Sequence, residues 1–459
     1  MTQPLSNFQT RDAEALLHPF TNAVWLRETG AQVIERGEGV RVFDQAGRSY
    51  IEGLAGLWCC GLGFGNAELV EAARAQMEKL PYYHLFTGKS HEPAVELAEK
   101  IKALAPGRMA RVFYQTSGSE ANDTQVKFAW YYNNALGRPA KKKIVSRQKA
   151  YHGVTIVAAS LTGLPNSHRD FDLPVAGIRH LSAPHHWKHA EPGETEAAFS
   201  ARLAAELEAL ILEEGPDTVA AFIAEPVMGA GGVIVPPAGY FPAIAAVCRR
   251  HDVLMISDEV ICGFGRTGAW FGAQALDFEP TSISMAKQLT AGFLPLSAVA
   301  INGEMAEVIE ANSGRIGTLG HGYTYGGHPV ACAVGVKALE IYERMDAPAR
   351  VRGLAPRFED HLRRHAEHPL VGEVRALGLM GALEIAPAGT RGFAEPGKVG
   401  PRLAAEMAAR GVIPRAIGDT VAFCPPMIIT EAEMDEMFAP LGPALDATLD
   451  WAKAEGHLS

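Results

Sequence analysis

The chain has 459 residues, of which 47% are hydrophobic and 20% are charged, and this balance excludes intrinsic disorder and collagen-like structure. A formal net charge of -10 gives no general attraction to nucleic acid or to an anionic membrane surface, since phosphate binding relies on clustered Lys and Arg. No segment holds about 18 uncharged apolar residues, and the first twenty residues lack a basic region followed by an apolar core, so the sequence predicts a cytoplasmic protein without a membrane span.

The predicted elements begin with a strand pair, RGEGVRVFDQAGRSYIEG. From about residue 65 to residue 345, short β-rich apolar runs alternate with amphipathic patterns. The runs that predict strands are RVFYQT, KIVSR, VAAFIAE, VLMIS, SISMA and LSAVAIN, and the helical patterns include ELVEAARAQMEKL and ARLAAELEALILEE. Strands that alternate with helices predict an α/β fold, with a mostly parallel central sheet flanked by helices.

The C-terminal region has a pattern of its own. A long helix, VACAVGVKALEIYERM, leads into VGEVRALGLMGALEIA, the helix LAAEMAARG and the segment VIPRAIGDTVAFCPP. This order predicts a smaller α+β domain, to which the N-terminal strand pair contributes. The predicted boundaries are 1–60 for the N-terminal segment, 61–330 for the large domain and 331–459 for the small domain.

The residues directly after RVFYQT are typical of an anion site. SGSEANDT is a turn of small residues that leads into a helix, and Ser117 and Glu120 have capping-box spacing. The free amides of Gly118 and Ser119, at the positive end of the helix, would suit a phosphate. An ordinary helix cap explains Ser117 equally well.

Three other strand ends carry reactive side chains. After KIVSR, the run QKAYHG places Tyr151 and His152 beside a glycine, and Asp258 follows VLMIS. Lys287, after SISMA, is the only charged residue between Glu279 and Glu304. Asp258 as a helix N-cap, and Lys287 as a side chain that reaches water, are the structural alternatives.

Ligands gather at the carboxyl ends of strands in such a sheet, so these residues together indicate a site for pyridoxal phosphate. A desolvated lysine forms an imine with the cofactor aldehyde, and a buried acid keeps the pyridine nitrogen protonated. An aromatic ring stacks on the pyridine, and the helix terminus holds the phosphate. The freed Lys287 would be the base for the substrate Cα proton.

Nearly the whole chain resembles the class III pyridoxal-phosphate aminotransferases of fold type I, particularly the amine:pyruvate or omega-transaminase branch. The resemblance depends on GLWCCGLGFG, VFYQTSGSEANDT, AYHGVT, AAFIAEPVMGAGGVIVPPAGY, SDEVICGFGRTGAWFG, MAKQLTAGFLPLSAV, HGYTYGGHPVACAV and GVIPRAIGDTVAFCPP. It implies a fold type I transferase with a large cofactor domain and a smaller α+β domain. It also implies a homodimer or tetramer with shared active sites.

Carried over residue by residue, the resemblance implies Lys287 as the imine lysine and Asp258 as the partner of the pyridine nitrogen. Tyr151 matches the stacking aromatic, and Val260 matches the residue on the opposite ring face. The other implied cofactor positions are Ser117, Gly118 and Ser119 at the phosphate, His152 and Glu225 near the cofactor, and Thr324, which reaches the phosphate of the partner subunit.

The implied reaction moves an amino group from a primary amine or ω-amino acid to a keto acid such as pyruvate, giving an aldehyde or ketone and alanine. Arg415 matches a mobile arginine that pairs with the acceptor carboxylate, and its structural alternative is a surface arginine. The aromatic positions that match the amine pocket are Phe20, Trp58, Phe86 and Tyr151. The natural amine donor stays open.

Three positions depart from the family pattern and leave the pocket walls uncertain. The family usually has glycine, serine and glutamine where this chain has Gln288, Gly326 and Met228. An aminomutase, racemase or decarboxylase of the same fold remains an alternative, because all share the cofactor machinery.

Three further patterns resemble functional motifs, but the residues around each of them do not support a functional site. The run GFGRTG satisfies a dinucleotide-binding spacing, but it opens no helix and lacks the acid about twenty residues on, which disfavours a dehydrogenase. His185 and His189 have helical spacing, yet Pro184 and polar neighbours favour a surface loop without metal. The six cysteines lack C-x-x-C spacing, so no disulfide framework or thiol chemistry is predicted.

Overall fold

A computed structural model describes residues 5–458, and it opens on a small N-terminal sheet. The strands of this sheet that come from the N-terminal segment are β1 (Ile34–Glu38), β2 (Arg41–Asp44) and β3 (Ser49–Glu52). They pair antiparallel in the order β1-β2-β3. No helix in the described range is long and apolar enough to cross a membrane.

The central sheet of the described range takes seven strands in the order β4-β10-β9-β8-β7-β5-β6. They are β4 (Met109–Gln115), β5 (Lys143–Arg147), β6 (Ile178–Leu181), β7 (Val219–Ala224), β8 (Leu254–Asp258), β9 (Ser282–Met285) and β10 (Ser297–Asn302). Strands β5 to β9 are parallel, whereas β10 is antiparallel to both of its neighbours. The predicted mostly parallel sheet is confirmed.

Helices cover both faces of this sheet. The helices up to the end of the central sheet are α1 (Asn7–Ala15), α2 (Ala23–Thr29), α3 (Ala55–Trp58), α4 (Ala67–Lys79), α5 (Glu92–Leu104), α6 (Gly118–Ala135), α7 (Ile156–Leu161), α8 (His186–His189), α9 (Glu196–Glu214), α10 (Tyr240–Arg250), α11 (Gly272–Ala275) and α12 (Gly303–Ile316). Phe222 of β7 packs with α9 and α10, while the next residue, Ile223, packs with α6 and α12. Because both faces are buried, the strands read as continuous apolar runs rather than alternating ones.

The C-terminal region forms a second sheet and the remaining helices. These elements are α13 (Pro329–Arg344), α14 (Ala347–Arg363), β11 (Val371–Leu377), β12 (Met380–Ile385), α15 (Val399–Ala409), β13 (Val412–Ile413), β14 (Arg415–Ile417), β15 (Thr420–Phe423), α16 (Glu431–Phe438) and α17 (Leu441–Ala454). The order β11-β12-β15-β14 is antiparallel, and β13 pairs parallel with β3. The N-terminal strands therefore share a sheet with a C-terminal strand, although the domain boundaries stay a prediction.

The predicted surface loop at His185 is wrong. Residues 186–189 form the short helix α8, and His185 is buried beside the small domain, where its Nε2 lies 2.7 Å from a carboxylate oxygen of Glu373. Arg375 also contacts both of these side chains. The acidic partner is almost two hundred residues away in the sequence, so local composition could not reveal it. Residues 5–458 contain no group of three or more His, Cys, Asp or Glu arranged to hold a metal ion.

Candidate active site

The reactive residues of the sequence meet at the carboxyl edge of the central sheet. Asp258 ends β8, Lys287 follows β9, Tyr151 and His152 follow β5, and Glu225 follows β7. These strands are neighbours and parallel, so their carboxyl ends meet at one edge. One cavity there is lined by Gly118, Ser119, Asn122, Tyr151, His152, Gly153, Glu225, Asp258, Val260, Ile261, Ala286 and Lys287.

The first turn of α6 forms an anion cradle beside this cavity. The Ser117 hydroxyl accepts the Glu120 amide at 3.2 Å, and the Glu120 carboxylate accepts the Ser117 amide at 3.0 Å, so the predicted capping box is present. The amides of Gly118 and Ser119 belong to the first turn, where a helix offers them no acceptor. The cap and the anion cradle are therefore compatible, because the cap uses the Glu120 amide and leaves the two preceding ones.

Small residues keep the cradle open. A Cβ on Gly118 would lie 3.2 Å from the Val260 side chain, and one on Gly153 would lie 2.7 Å from the Ser119 Cα. The Ser119 hydroxyl accepts the Val154 amide at 3.0 Å, which ties the loop after β5 to the first turn of α6. A side chain at Gly118 would press on Val260, and one at Gly153 would press on the first turn of α6.

Asp258 is a buried carboxylate rather than a helix N-cap. Its Oδ2 accepts the His152 Nδ1–H at 2.7 Å and the Asn122 amide at 2.7 Å, and its Oδ1 accepts the Val260 amide at 3.1 Å. A carboxylate offers about four acceptor positions, so Oδ1 retains capacity for one more donor. A protonated ring nitrogen is a donor of that kind.

Glu225 is a second buried carboxylate in the cavity. Its two oxygens accept the amides of Tyr151, at 2.9 Å, and Gly229, at 3.1 Å. Burial raises the pKa of Glu225, and the charge of Asp258 adds to this, while His152 opposes it. Glu225 therefore fixes the loop that carries Tyr151.

Lys287 stands at a strained position beside these acids. It is half-buried, lies two residues after the end of β9 and has φ +46°, in the left-handed region that non-glycine residues rarely adopt. The residues before it on the strand are buried, so the backbone that presents the amine is held by the sheet. The Lys287 side chain lines the cavity, and its role there stays a prediction.

Arg415 and Trp58 form a second part of the site. The Arg415 guanidinium carbon lies 5.1 Å from the centroid of the Trp58 ring, a cation–π arrangement, and Arg415 is half-buried. Burial lowers the pKa of Arg415, and no carboxylate within residues 5–458 lies close enough to form a salt bridge with it. Phe20 lies edge-on to Tyr151, with ring centroids 6.5 Å apart.

Six predicted site residues are not part of the lining of this cavity. Four of them, Ser117, Phe20, Trp58 and Arg415, lie where described above, and the other two are Phe86 and Thr324. Phe86 lies with the 318–323 loop along a separate groove of about 930 Å³, and Thr324 lies next to that loop, exposed, where the Tyr82 hydroxyl donates to its carbonyl oxygen at 2.8 Å. Within one described chain, neither is part of the lining that holds Lys287.

The three departures from the family pattern have local structural reasons. Gln288 turns into the core, where its Nε2 donates to the Gly263 carbonyl at 3.1 Å and its Oε1 fills space left by Gly61. Gly326 has no room for a serine, because a Cβ there would lie 2.6 Å from the Tyr114 carbonyl oxygen. Met228 is fully buried in a small apolar cluster with Ala150, the residue before Tyr151. None of the three belongs to the cavity lining.

These residues fit pyridoxal phosphate. The anion cradle, the open acceptor position on Asp258 and the Lys287 amine border one cavity, and each is the donor or acceptor that the phosphate, ring nitrogen and aldehyde need. The run GFGRTG does not supply a competing nucleotide site. It leads only to the four-residue helix α11, whereas a dinucleotide fold opens a full helix at the glycines.

Sequence reasoning missed Asn122. It lies four residues after Gly118, on the same face of α6, and is 1% exposed. The signal was present in SGSEANDT, since a helix that presents its first turn to a ligand also presents the residue one turn later. Its partners, however, come from the loop after β5 and from the end of β8, so the contacts could not be inferred before the fold was known.

Comparisons with known proteins point to one family. The family model described as aminotransferase class-III matches residues 24–445. Gamma aminobutyrate transaminase 1, mitochondrial, of Solanum lycopersicum is 47% identical over 436 residues, which cover 94% of this chain and 85% of that protein. Vanillin aminotransferase of Capsicum annuum is 46% identical over 436 residues, covering 94% of this chain and 95% of that protein.

The similar solved structures are also transaminases. The omega transaminase from Pseudomonas jessenii in complex with PMP superposes with a TM-score of 0.96 at 48% identity, covering 97% of this chain and 99% of that chain. A thermostable omega transaminase variant engineered for asymmetric synthesis of bulky amines has a TM-score of 0.95 at 48% identity, covering 97% of this chain and 100% of that chain.

Proposed function

Since the chain belongs to the class III aminotransferases, which use pyridoxal phosphate, we propose that it is an amine:pyruvate transaminase. It would take the amino group from a primary amine or ω-amino acid and give it to pyruvate, leaving an aldehyde or ketone and alanine. The support comes from the omega transaminase structures on one side and the gamma-aminobutyrate transaminase relatives on the other.

The observation that carries the choice of a keto acid is Arg415. Its half-buried guanidinium rests on Trp58, with no carboxylate of the described chain as its partner. Burying a cation without a counter-ion is costly, so the site favours a ligand that brings a carboxylate. Because the guanidinium rests on an aromatic ring, it can turn away when the apolar group of an amine enters.

When bound, pyridoxal phosphate supplies an electron-accepting ring that makes the substrate Cα proton acidic. The Lys287 amine takes the proton from the substrate Cα and holds it. The Asp258 carboxylate keeps a proton on the ring nitrogen, and the first-turn amides of α6 bind the phosphate. Tyr151 and Val260, which line the cavity, would hold the ring by contact with its two faces.

We also propose that the enzyme is a cytoplasmic homodimer with shared active sites. Exposed aromatic side chains lie on the chain segments that border the groove containing Phe86, and this argues for a covered surface. These side chains are Tyr82, Tyr83, Phe86 and Tyr325. Thr324 lies beside the same groove, where it can reach a neighbouring chain.

A panel of amines tests the proposed function. Taurine, β-alanine, putrescine, 4-aminobutyrate and 1-phenylethylamine are each supplied with pyruvate, and the alanine formed is measured. We expect alanine from at least one donor, with the matching aldehyde or ketone in equal amount. Turnover with 2-oxoglutarate but not pyruvate would refute the amine:pyruvate assignment, and release of carbon dioxide without alanine would favour a decarboxylase.

A further inference from the structure

Asp258 is held by three donors that come from three parts of the fold. The His152 Nδ1–H and the Asn122 amide both reach Oδ2 at 2.7 Å, and the Val260 amide reaches Oδ1 at 3.1 Å. Asp258 is only 3% exposed, so these donors stand where water would otherwise solvate the carboxylate. The orientation of the carboxylate is thus set by the protein.

The side-chain amide of Asn122 is oriented unambiguously. Its Nδ2 lies 2.7 Å from the Asp258 Oδ2 and 2.7 Å from the His152 carbonyl oxygen. Both neighbours are acceptors, so the NH₂ group must face them, and each of its hydrogens has one acceptor. The Asn122 Oδ1 accepts from no other atom of residues 5–458. Every hydrogen bond of this side chain is therefore made with the two segments that carry Asp258 and His152.

Asn122 also stands on the helix that forms the anion cradle. It follows Gly118 by one turn of α6 and lines the same cavity as Asp258. A carboxylate that accepts a hydrogen bond from a rigid helix cannot rotate independently of that helix. The phosphate end and the ring-nitrogen end of the cofactor site are linked through this one amide.

We propose that Asn122 is a positioning residue for Asp258: its amide fixes the rotation of the carboxylate and stabilises its negative charge, so that Oδ1 is presented to the cofactor ring nitrogen. Asn122 makes no hydrogen bond to the side chains proposed to bind the amine or keto acid, since its two acceptors are Asp258 and the His152 carbonyl. It therefore acts on the chemical step and not on substrate binding. The inference depends on the cofactor and on transamination, and not on which amine or acceptor is used.

Asn122→Ala tests the proposal, with Asn133→Ala as the matched control. Asn133 is on the same helix, is equally buried at 1% and makes one side-chain hydrogen bond, to the Ala129 carbonyl at 2.9 Å, far from the cavity lining. For Asn122→Ala we expect kcat to fall by about 10- to 100-fold, the typical effect of losing a hydrogen bond to a charged group, with the KM for the amine unchanged. Asn133→Ala should keep the wild-type kcat.

A second measurement needs no substrate. The proton on His152 Nδ1, bonded to the Asp258 carboxylate, should give a far-downfield signal in proton NMR, identified by its absence in His152→Asn. In Asn122→Ala this signal should shift or broaden, in the protein both with and without cofactor, because the shared acceptor has lost its second donor. In Asn133→Ala it should not move.

Each result of these two experiments either supports or overturns the proposed role of Asn122. A wild-type kcat, or a lower kcat with an unchanged His152 signal, would overturn the proposal. Should Asn122→Ala not fold, Asn122→Ser takes its place, since a hydroxyl can reach at most one of the two acceptors, and the same two results are required of it. Failure of pyruvate to act as acceptor would refute the proposed function and leave the NMR comparison valid.

Discussion

Arg415 and Trp58 act as a pair, and this makes the arginine testable apart from the rest of the site. The guanidinium carbon lies 5.1 Å from the indole centroid, and burial lowers the pKa of Arg415. An arriving carboxylate can form two parallel, charge-assisted hydrogen bonds with the guanidinium, whereas an uncharged aldehyde has no carboxylate to form them.

We therefore expect Arg415→Ala to raise the KM for pyruvate by about 10- to 100-fold and to leave the KM for an uncharged aldehyde acceptor nearly unchanged. Steady-state kinetics with both acceptors measure this difference. Arg402→Ala is the control, because Arg402 lies over Trp451 at a similar distance of 5.4 Å but belongs to another part of the molecule. An equal rise for both acceptors would show that Arg415 supports the pocket instead of binding the carboxylate.

Among single residues, the sequence indicates those whose charge or polarity is unusual for the segment around them. Lys287 stands out because its segment has no other charge, and Asp258 stands out because it ends an apolar run. Asn122 has neither signal, because an asparagine in a helix is common. Its importance is visible only in the fold, where the loop after β5 places the His152 carbonyl beside it and β8 places the Asp258 carboxylate there. Residues defined by distant partners need the fold.

The loop after β5 is the element on which the anion cradle depends most. Gly153 has φ +133°, which side-chain-bearing residues rarely adopt, and a Cβ there would lie 2.7 Å from the Ser119 Cα. We expect Gly153→Ala to displace the first turn of α6 and to weaken cofactor binding by about tenfold or more. Titration of the apoprotein with pyridoxal phosphate, followed by absorbance, measures the change.

Gly177→Ala separates backbone strain from the clash. Gly177 also has a left-handed backbone, at φ +90°, but a Cβ there meets nothing within 4 Å. It should lower thermal stability while leaving cofactor affinity near the wild-type value. If the two variants bind the cofactor equally well, the close approach of Gly153 to Ser119 is not what shapes the cradle.

Elements with strong local patterns could be predicted, and those shaped by distant partners could not. The runs from RVFYQT to LSAVAIN all became strands, because burial on both faces gives a continuous apolar signal. Helix α3 is different, since Gly56 and Trp58 have positive φ and the Glu52 carboxylate accepts the amides of Leu54 and Gly56. Burial raises the pKa of Glu52 to about 7, an arrangement that no local pattern indicates.

The whole molecule presents a surface that a single chain leaves uncovered. The groove of about 930 Å³ contains Phe86 and the 318–323 loop, next to Thr324, on a different part of the chain from the Lys287 cavity. In a two-fold symmetric dimer each chain can offer this face to the other, so one site can draw residues from both chains. The proposed role of Thr324 then requires that it act across the interface.

Mixing two inactive variants tests this arrangement. Lys287→Ala removes the amine of one site, and Thr324→Glu places a negative charge where the partner chain would hold a phosphate. Each homodimer should be inactive. In a mixed dimer, one site carries both defects, while the other combines an intact Lys287 with an intact Thr324. With random exchange, half the dimers are mixed and half of their sites are intact, so recovered activity should approach about a quarter of wild type.

The control is a mixture of Lys287→Ala with Asp258→Asn. Both side chains line one cavity of the same chain, so every site of that mixed dimer keeps one defect, and no activity should return. Recovery with Thr324→Glu but not with Asp258→Asn can arise only if Thr324 belongs to the site of the other chain. If neither mixture recovers although exchange is shown by differently tagged chains, Thr324 acts within its own chain or not at all, and the shared-site proposal is wrong.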